Sequence, residues 1–220
     1  MSSESFPLLS LPFPAVQHFL SVLPIKEVLK IRQTCKTLKN WSSFRGEIVE
    51  TLIMHNDKDD YKSCIPYEVL LSKRFPVTPL NKLNVFMTPS NSPEAILASM
   101  DSPVFKEVRF NAHYHWRQIF PFLHDGLERL YLFDEMDLPA NDMPAFFKAL
   151  SSFKGEVIWI HCNTLENHWF DAAFTAWSSL KGSVFESVRR TLYYLIEAVT
   201  MDGKLILFNN KLILFNNKFV

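Results

Sequence analysis

Residues 6–41 read FPLLSLPFPAVQHFLSVLPIKEVLKIRQTCKTLKNW, and they carry two closely spaced helical patterns behind a proline-rich turn. Apolar side chains first recur at the spacing of one helical face, at Val16, Phe19, Leu20 and Leu23. Pro24 suits the first turn of a second helix, because a missing N–H costs little there. The second apolar stripe comprises Val28, Ile31, Cys35 and Leu38. The stretch therefore predicts two short amphipathic helices.

Residues 6–41 contain more large apolar side chains than a segment of this length can bury by itself. Chains below about 40 residues seldom bury enough surface to fold alone. At about 25 cal/mol per Å², several exposed Leu, Phe and Val side chains would forgo several kcal/mol of stabilisation. We therefore expect a partner protein, or the next domain of the chain, to pack against these helices.

The stretch resembles an F-box in the order and spacing of its residues. The resemblance covers residues 5–46 and is carried by Leu11-Pro12, Phe19-Leu20, Leu23, Leu29, Ile31, Cys35 and the segment from Leu38 to Trp41. It implies that the segment binds a Skp-type adaptor, which links to a cullin scaffold that carries the ubiquitin-transfer machinery. It further implies adaptor contacts at Leu8, Leu11, Pro12, Val16, Phe19, Leu20, Leu23 and Leu29. The alternative is that the two helices only cap the downstream domain.

Residues 47–81 look like a connector between two modules. Ile48, Leu52 and Ile53 are compatible with a further helix, and the polar run at 56–60 resembles a solvated linker. A short helical pattern at 69–71 lies between prolines, so we expect irregular packing over the rest of this segment.

Residues 82–203 alternate strand-like and helix-like patterns. Strands are predicted at Leu83–Met87, Glu107–Phe110, Leu127–Phe133 and Val157–His161. Helices are predicted from Ser92 to Met100, from Trp116 to Leu123, from Met143 to Phe153 and from Trp169 to Leu180. Gly126 and Gly155 each come after a helical run, where a left-handed residue can end a helix at little cost.

The period of 20 to 30 residues between strand centres indicates a β/α repeat of leucine-rich type. An ordinary layered α/β domain gives the same alternation and stays open as the alternative. The expected fold class is thus α+β or α/β, with a small helical module before a β/α region. Two segments look similar to the region that follows the F-box in nematode-type F-box proteins. They are residues 127–132, and residues 167–170 through Phe174 and Trp177.

The sequence contains no convincing catalytic or metal-binding pattern. His113, His115, His161 and His168 could be drawn together around a metal, but no second ligand pair has the required spacing. Acidic residues at 134–137 fit a solvated loop better than an acid–base pair. The glycines are scattered singly, so no phosphate-binding loop is formed. We expect no enzymatic activity, no metal and no cofactor.

Aromatic residues are the more informative functional signal, because they dominate binding energy where a partner desolvates them. Phe, Trp and Tyr make up 14% of the chain, and several stand near predicted strand ends or loops. The candidate residues for binding a target protein are Tyr114, Trp116, Phe133 and Trp169. The alternative for each is that it packs a helix onto the sheet.

Charge and cysteine content limit the class of partner. Lys plus Arg and Asp plus Glu both total 23, so no global field favours nucleic acid or a membrane surface. The three cysteines form an odd set without paired spacing, which suits a reducing compartment. Prolines interrupt any apolar leader near the N-terminus. These features predict a cytoplasmic or nuclear protein that recognises its partners through local surface patches rather than through its overall charge.

The end of the chain repeats itself. KLILFNN occupies residues 204–210 and again residues 211–217. A hairpin that turns at Asn209-Asn210 would accommodate both copies, since Asn tolerates the positive φ angles of a tight turn. A recent duplication, or a wrongly defined end of the coding sequence, is the alternative, in which one copy is surplus.

Together these observations predict a non-catalytic substrate-recognition subunit of a Skp–cullin–F-box ubiquitin ligase. The F-box would hold the adaptor, and the β/α region would hold an unidentified target protein. The alternative is a protein-binding scaffold of leucine-rich-like repeats that has no connection with ubiquitin.

Overall fold

The computed structural model describes residues 8–56, 64–162, 169–192 and 195–209 of the 220. The helices are α1 (Phe13–Val22), α2 (Ile25–Thr34), α3 (Lys36–Trp41), α4 (Tyr67–Ser72), α5 (Pro93–Ala98), α6 (Met143–Leu150) and α7 (Trp169–Ser178). The strands are β1 (Glu47–His55), β2 (Ile65–Pro66), β3 (Val77–Met87), β4 (Glu107–His115), β5 (Arg129–Asp137), β6 (Val157–Cys162), β7 (Phe185–Leu192), β8 (Leu195–Thr200) and β9 (Leu205–Asn209). Short 3₁₀ helices span Leu8–Ser10, Ser43–Arg45, Trp116–Phe122 and Ala140–Asp142.

The N-terminal helices α1 to α3 form a small module with its own core. Val16, Leu20 and Leu38 are buried at its centre, and Trp41 packs against them. The prediction of an apolar helix after Pro12 is confirmed by α1. The second predicted helix is divided, because Cys35 is extended with φ −159°. Its Sγ accepts a hydrogen bond from the backbone N–H of Leu38 at 3.4 Å and so caps α3.

The segment directly after this module begins the sheet. The helix expected through Ile48, Leu52 and Ile53 is wrong, since these residues belong to β1. Leu52 and Met54 alternate as buried residues, and β1 pairs with β3 in parallel. The connector is therefore less irregular than expected. The short helix predicted at 69–71 is confirmed by α4.

Nine strands among the described residues form a single sheet in the order β2-β1-β3-β4-β5-β6-β9-β8-β7. Pairing is parallel from β2 to β9, while β8 runs antiparallel to both of its neighbours. The predicted strands within β3 to β6 are confirmed, and a helical segment connects each to the next. Parallel neighbours require such crossover connections.

All the helices that pack on this sheet lie on the same face. Leu130 and Leu132 of β5 point into a continuous core with Phe146 and Phe147 of α6 and Trp177 of α7. The intervening residues of the strands point away from this core. The protein is thus a mixed α/β structure, and the helices of the described residues cover one face of the sheet and leave the other uncovered.

The expectation that Gly126 and Gly155 are left-handed is wrong, because positive φ angles among glycines occur at Gly46, Gly182 and Gly203. Gly155 has a different physical role. A Cβ at this position would lie 2.0 Å from the Phe153 ring and 2.6 Å from the Glu128 carbonyl oxygen. Glycine is thus required here by close packing rather than by its backbone conformation.

The first copy of the KLILFNN repeat supplies β9, which lies between β6 and β8. Ile206 and Phe208 are completely buried in the core. The second copy, and with it the expected hairpin at Asn209-Asn210, lies outside the described residues. The antiparallel pair β7 and β8 has no counterpart among the strands predicted from the sequence.

Candidate functional site

Two surfaces on different parts of the molecule have the composition of protein-binding sites. The first is on the N-terminal module, where large apolar side chains are exposed to solvent. Val22 is 66% exposed, Leu9 49%, Phe13 46% and Phe19 39%. Ala15, Phe19 and Val22 share one face of α1 at positions i, i+4 and i+7, and we call these three residues the α1 stripe.

The structure divides the predicted adaptor contacts into two groups. Pro12 and Phe19 are exposed, whereas Leu8, Leu11 and Leu23 are partly buried against the core of the module. Val16 and Leu20 are completely buried, so the expectation that they touch an adaptor directly is corrected. They stabilise the module that presents the α1 stripe. Leu29 lies apart from the stripe, in a cleft beside α2.

Arg45 connects the N-terminal module to the sheet domain. Its Nη1 donates to the carbonyl oxygens of Leu20, Ser21 and Leu23 at 2.6, 3.1 and 2.9 Å, at the C-terminal end of α1. Its Nε and Nη2 donate to the two carboxylate oxygens of Asp101 at 2.7 and 2.5 Å. A cation suits a helix C-terminus, where the last carbonyls lack intrahelical donors.

A second arginine strengthens the same junction. Arg32 of α2 donates from Nε to the Ser42 hydroxyl at 2.8 Å and from Nη1 to the Gly46 carbonyl at 2.8 Å. Its Nη2 donates to the carbonyl of Ser42. Gly46 has a φ of +76°, and a Cβ there would lie 1.9 Å from the Pro76 carbonyl oxygen. The chain therefore enters β1 in a geometry that only glycine fits.

The second surface is the face of the sheet that none of the described helices covers, and we call it the open face. Strand neighbours align there across the sheet, so Asn84, Arg109, Tyr131 and Trp159 form one row. Beside this row Phe86 pairs with Asn111 and Phe133 pairs with His161, and the His55 ring lies 4.8 Å from that of Phe86. None of these residues belongs to the core cluster, and each is at least partly exposed.

Aromatic rings stack along the open face. The Tyr131 ring lies 6.0 Å from that of Phe133 and 6.1 Å from that of Trp159, in stacked orientations. The Arg109 guanidinium lies 4.7 Å from the centre of the Tyr131 ring. Such cation–π contacts hold an arginine flat against an aromatic surface. Burial raises the pKa of Tyr131, so its hydroxyl remains a neutral donor.

A group of charges borders the aromatic residues. The Glu107 carboxylate lies 2.7 Å from Arg109 Nε, 3.4 Å from Lys82 Nζ and 3.6 Å from Arg129 Nε. Three cations surround one buried carboxylate, which leaves this part of the open face positively charged. A partly exposed aromatic surface beside cations is typical of a protein-recognition site.

Three of the four residues predicted to bind a target do not lie on this surface. Tyr114, Trp116 and Trp169 are buried among helices and strands, at 0%, 6% and 7% exposure, so the alternative of core packing applies to them. Phe133 lies on the open face, as a target contact would require. Sequence reasoning missed Tyr131 and Trp159, although both follow the alternation of their strands.

Tyr114, which is fully buried, lies beside Cys162, which is partly buried. The Tyr114 hydroxyl donates to the Phe133 carbonyl at 3.0 Å, and Cys162 Sγ lies 3.6 Å from the same hydroxyl. Burial raises the pKa of the Cys162 thiol to about 12. A nucleophilic cysteine needs a lowered pKa, so this thiol is suited to packing.

The histidines and carboxylates considered from the sequence lie near the ends of β4 to β6. His168 lies outside the described residues. Within the described ranges, no group of three His, Cys, Asp or Glu side chains is placed to hold a metal ion. Asp134 has a φ of +58°, and its carboxylate accepts a hydrogen bond from the Ala112 N–H at 2.9 Å. Its position is explained by this backbone contact.

Comparisons with known proteins do not assign the chain to a family. No family model matches the sequence. No curated protein matches it either. None of the helices in the described part of the chain has the length and apolar character needed to cross a membrane.

Proposed function

We propose that this protein is a substrate-recognition subunit of a Skp–cullin–F-box ubiquitin ligase and has no catalytic role of its own. The N-terminal module binds a Skp-type adaptor, and the sheet domain binds a target protein. The observation that carries the proposal is the apolar surface of α1, where Phe19 and Val22 are 39% and 66% exposed. The proposal places the protein in the cytoplasm or the nucleus.

The exposed surface of α1 argues against a purely capping role for the module. Helices that only capped the sheet domain would turn their large apolar side chains toward it. Instead Phe13, Phe19 and Val22 remain in solvent, while Val16 and Leu20 already supply the internal core. Large apolar side chains left in solvent on a small module are typical of a protein interface.

The contacts of Arg45 fit an adaptor function, because they hold the N-terminal module and the sheet domain in one arrangement. A recognition subunit has to hold its target in a fixed position relative to the scaffold. Bidentate pairing of Arg45 with Asp101 fixes geometry more strictly than a single hydrogen bond does. The same guanidinium also binds the end of α1, so it joins the proposed adaptor-binding helix to the sheet domain.

The open face is the proposed site for the target. Tyr131, Phe133 and Trp159 present stacked rings, and Arg109 and Arg129 supply charge beside them. Aromatic and arginine side chains carry much of the binding energy in protein interfaces. Strand and helix alternation with one uncovered face is compatible with a leucine-rich-like repeat, in which the same surface is available for recognition.

A co-elution experiment tests the adaptor interaction. The purified protein should co-elute with a Skp-type adaptor in size-exclusion chromatography, and the double variant Phe19→Glu, Val22→Glu should not. The matched control is Val69→Glu, Leu71→Glu on α4, since these side chains are also exposed, at 47% and 37%. The control should retain the complex because it leaves α1 intact.

Two results would contradict the proposal. The first is that the wild-type protein elutes without the adaptor, and the second is that the α1 variant binds as well as the control does. The wild-type protein could fail to bind the adaptor and still bind other proteins through Tyr131 and Trp159. That result would favour the alternative, a binding scaffold outside the ubiquitin system. The open face favours a binding function in both cases.

A further inference from the structure

A cleft of about 810 Å³ lies between the N-terminal module and the sheet domain. Residues of α2 and α3 form one wall, and the start of β1 with residues 73–77 forms the other. We call it the junction cleft. It is separate from the α1 stripe and from the open face, so a ligand could occupy it whether or not the protein belongs to a ubiquitin ligase.

The charge of the junction cleft differs from that of the whole chain. Its lining contains four cations, Arg32, Lys39, Lys73 and Arg74, and one carboxylate, Glu47. The complete sequence, by contrast, has 23 cationic and 23 acidic residues. Local excess charge in a concave site attracts and orients a ligand of opposite charge.

Two of these cations are available for a ligand. Arg32 is engaged by Ser42 and Gly46, and Lys73 lies 3.4 Å from the Glu47 carboxylate. Within the described part of the chain, no ion pair involves Lys39 or Arg74. Lys39 is on α3 and Arg74 lies just beyond α4, so the two charges come from separate elements.

The cleft also has an apolar part. Leu29, Ile48 and Phe75 are among its lining residues, and Phe75 is 43% exposed. The Arg74 guanidinium lies 5.2 Å from the centre of the Phe75 ring, which places charge directly beside this apolar surface. A ligand that matches the cleft combines an apolar group with nearby negative charges.

We propose that the junction cleft binds an acidic peptide segment of a partner protein. Carboxylates of the segment pair with Lys39 and Arg74, and an apolar side chain between them packs on Leu29 and Phe75. Single charges distributed along an extended chain fit cations that come from two elements, whereas one phosphate would require cations converging on one point.

The test uses the full-length protein and fluorescence anisotropy. The probe is a fluorescein-labelled nonapeptide in which glutamate alternates with leucine, and the comparison peptides carry lysine or glutamine in place of glutamate. We expect the acidic peptide to bind, the other two not to bind, and added salt to weaken the interaction. The variant Lys39→Glu, Arg74→Glu should weaken binding by about tenfold or more, since it replaces attraction by repulsion.

The matched control is Lys148→Glu, Arg189→Glu, which makes the same charge change at exposed positions away from the cleft. It should bind the acidic peptide like the wild type. Phe75→Ala should also weaken binding while leaving the salt dependence in place. Thermal unfolding followed by circular dichroism shows whether each variant is folded.

Several outcomes would overturn the proposal. Equal binding of the acidic and lysine peptides would do so, as would unchanged binding by the folded cleft variant. If a phosphoserine peptide binds and the glutamate peptide does not, the cleft is a phosphate site and not a site for carboxylates. A dimer of the chain, seen by light scattering and lost in the cleft variant, would assign the cleft to a second copy.

Discussion

Arg45 shows how a single side chain can determine the arrangement of two modules. It is 8% exposed, and it binds three carbonyl oxygens of one module and a carboxylate of the other. Its hydrogen bond to Asp101 raises the pKa of the Arg45 guanidinium, so the arginine stays charged. Nothing in the sequence around position 45 distinguishes this arginine from a surface residue, because its partner is 56 positions away.

Replacing this arginine should therefore destabilise the protein strongly. Arg45→Leu leaves the Asp101 carboxylate without its cation and the end of α1 without a donor, and we expect a loss of about 3 kcal/mol or more in the free energy of unfolding. Urea unfolding measures this quantity. Lys106→Gln serves as the control, because the exposed Lys106–Glu128 pair should contribute less than about 1 kcal/mol. Equal losses in the two variants would show that the junction is not rigidly held.

Cys162 makes a second residue-scale prediction, on pH dependence. Burial raises the pKa of its thiol from 9.0 to about 12 in the folded protein. The unfolded chain therefore loses this proton at lower pH than the folded protein does. The stability contributed by the neutral thiol is complete below the unfolded pKa and is lost as the pH rises toward the folded value. Burial raises the pKa of Tyr114 as well, so its contribution has the same sign.

The expected result is a free energy of unfolding that falls above about pH 9, by at most about 1.4 kcal/mol per pH unit for each such group. Urea unfolding of the wild type and of Cys162→Ala at several pH values measures it. The variant should show a shallower fall. Cys35→Ala is the comparison, since Cys35 caps α3 in the N-terminal module and lies outside the core of the sheet domain. A Cys162 variant with an unchanged slope would contradict this prediction.

At the scale of single elements, periodicity identified strands best where alternation coincided with burial. Val108 and Phe110 in β4 and Leu130 and Leu132 in β5 alternate as a sheet with one covered face requires. In β1 the spacing of Ile48, Leu52 and Ile53 fits a helix equally well. Pairing with β3 makes this segment a strand rather than a helix. Because β3 begins only at Val77, a pattern read within residues 47–55 cannot reveal it.

The candidate site was harder to predict than the strands. Alternation shows which residues share a face, but not which face the helices will cover. The sequence therefore predicts surface positions for Tyr114, Trp116 and Trp169, which are buried, and does not single out Tyr131 and Trp159 on the open face. Of the apolar face predicted for α1, Phe19 is exposed whereas Val16 and Leu20 are buried, so the helical pattern located the helix but not the side that faces solvent.

At the scale of the whole molecule, the adaptor surface and the target surface should be separable by mutation. The variant Tyr131→Ala, Trp159→Ala should keep its complex with a Skp-type adaptor and lose target proteins that the wild type captures from native extract under proteasome inhibition. The reason is that both rings lie on the open face, away from α1. Quantitative mass spectrometry of the captured proteins measures the loss.

The control for this experiment is Met201→Ala, which removes an apolar side chain that is 58% exposed but lies beyond the end of β8. It should capture the same proteins as the wild type. If the aromatic variant also captures them unchanged, the open face is not the target site. If it loses the adaptor as well, the two surfaces are not independent.

The position of β9 has a consequence for synthesis of the protein on the ribosome. This strand is the last of the described elements, yet it pairs with β6 in the interior of the sheet. Its Phe208 lies 5.2 Å from the Trp177 ring and 5.7 Å from the Trp169 ring. A nascent chain therefore keeps an open edge at β6 and unfilled space among these rings until residue 209 emerges. Long-range parallel pairing of this kind delays folding, and it leaves the edge exposed to chaperones in the meantime.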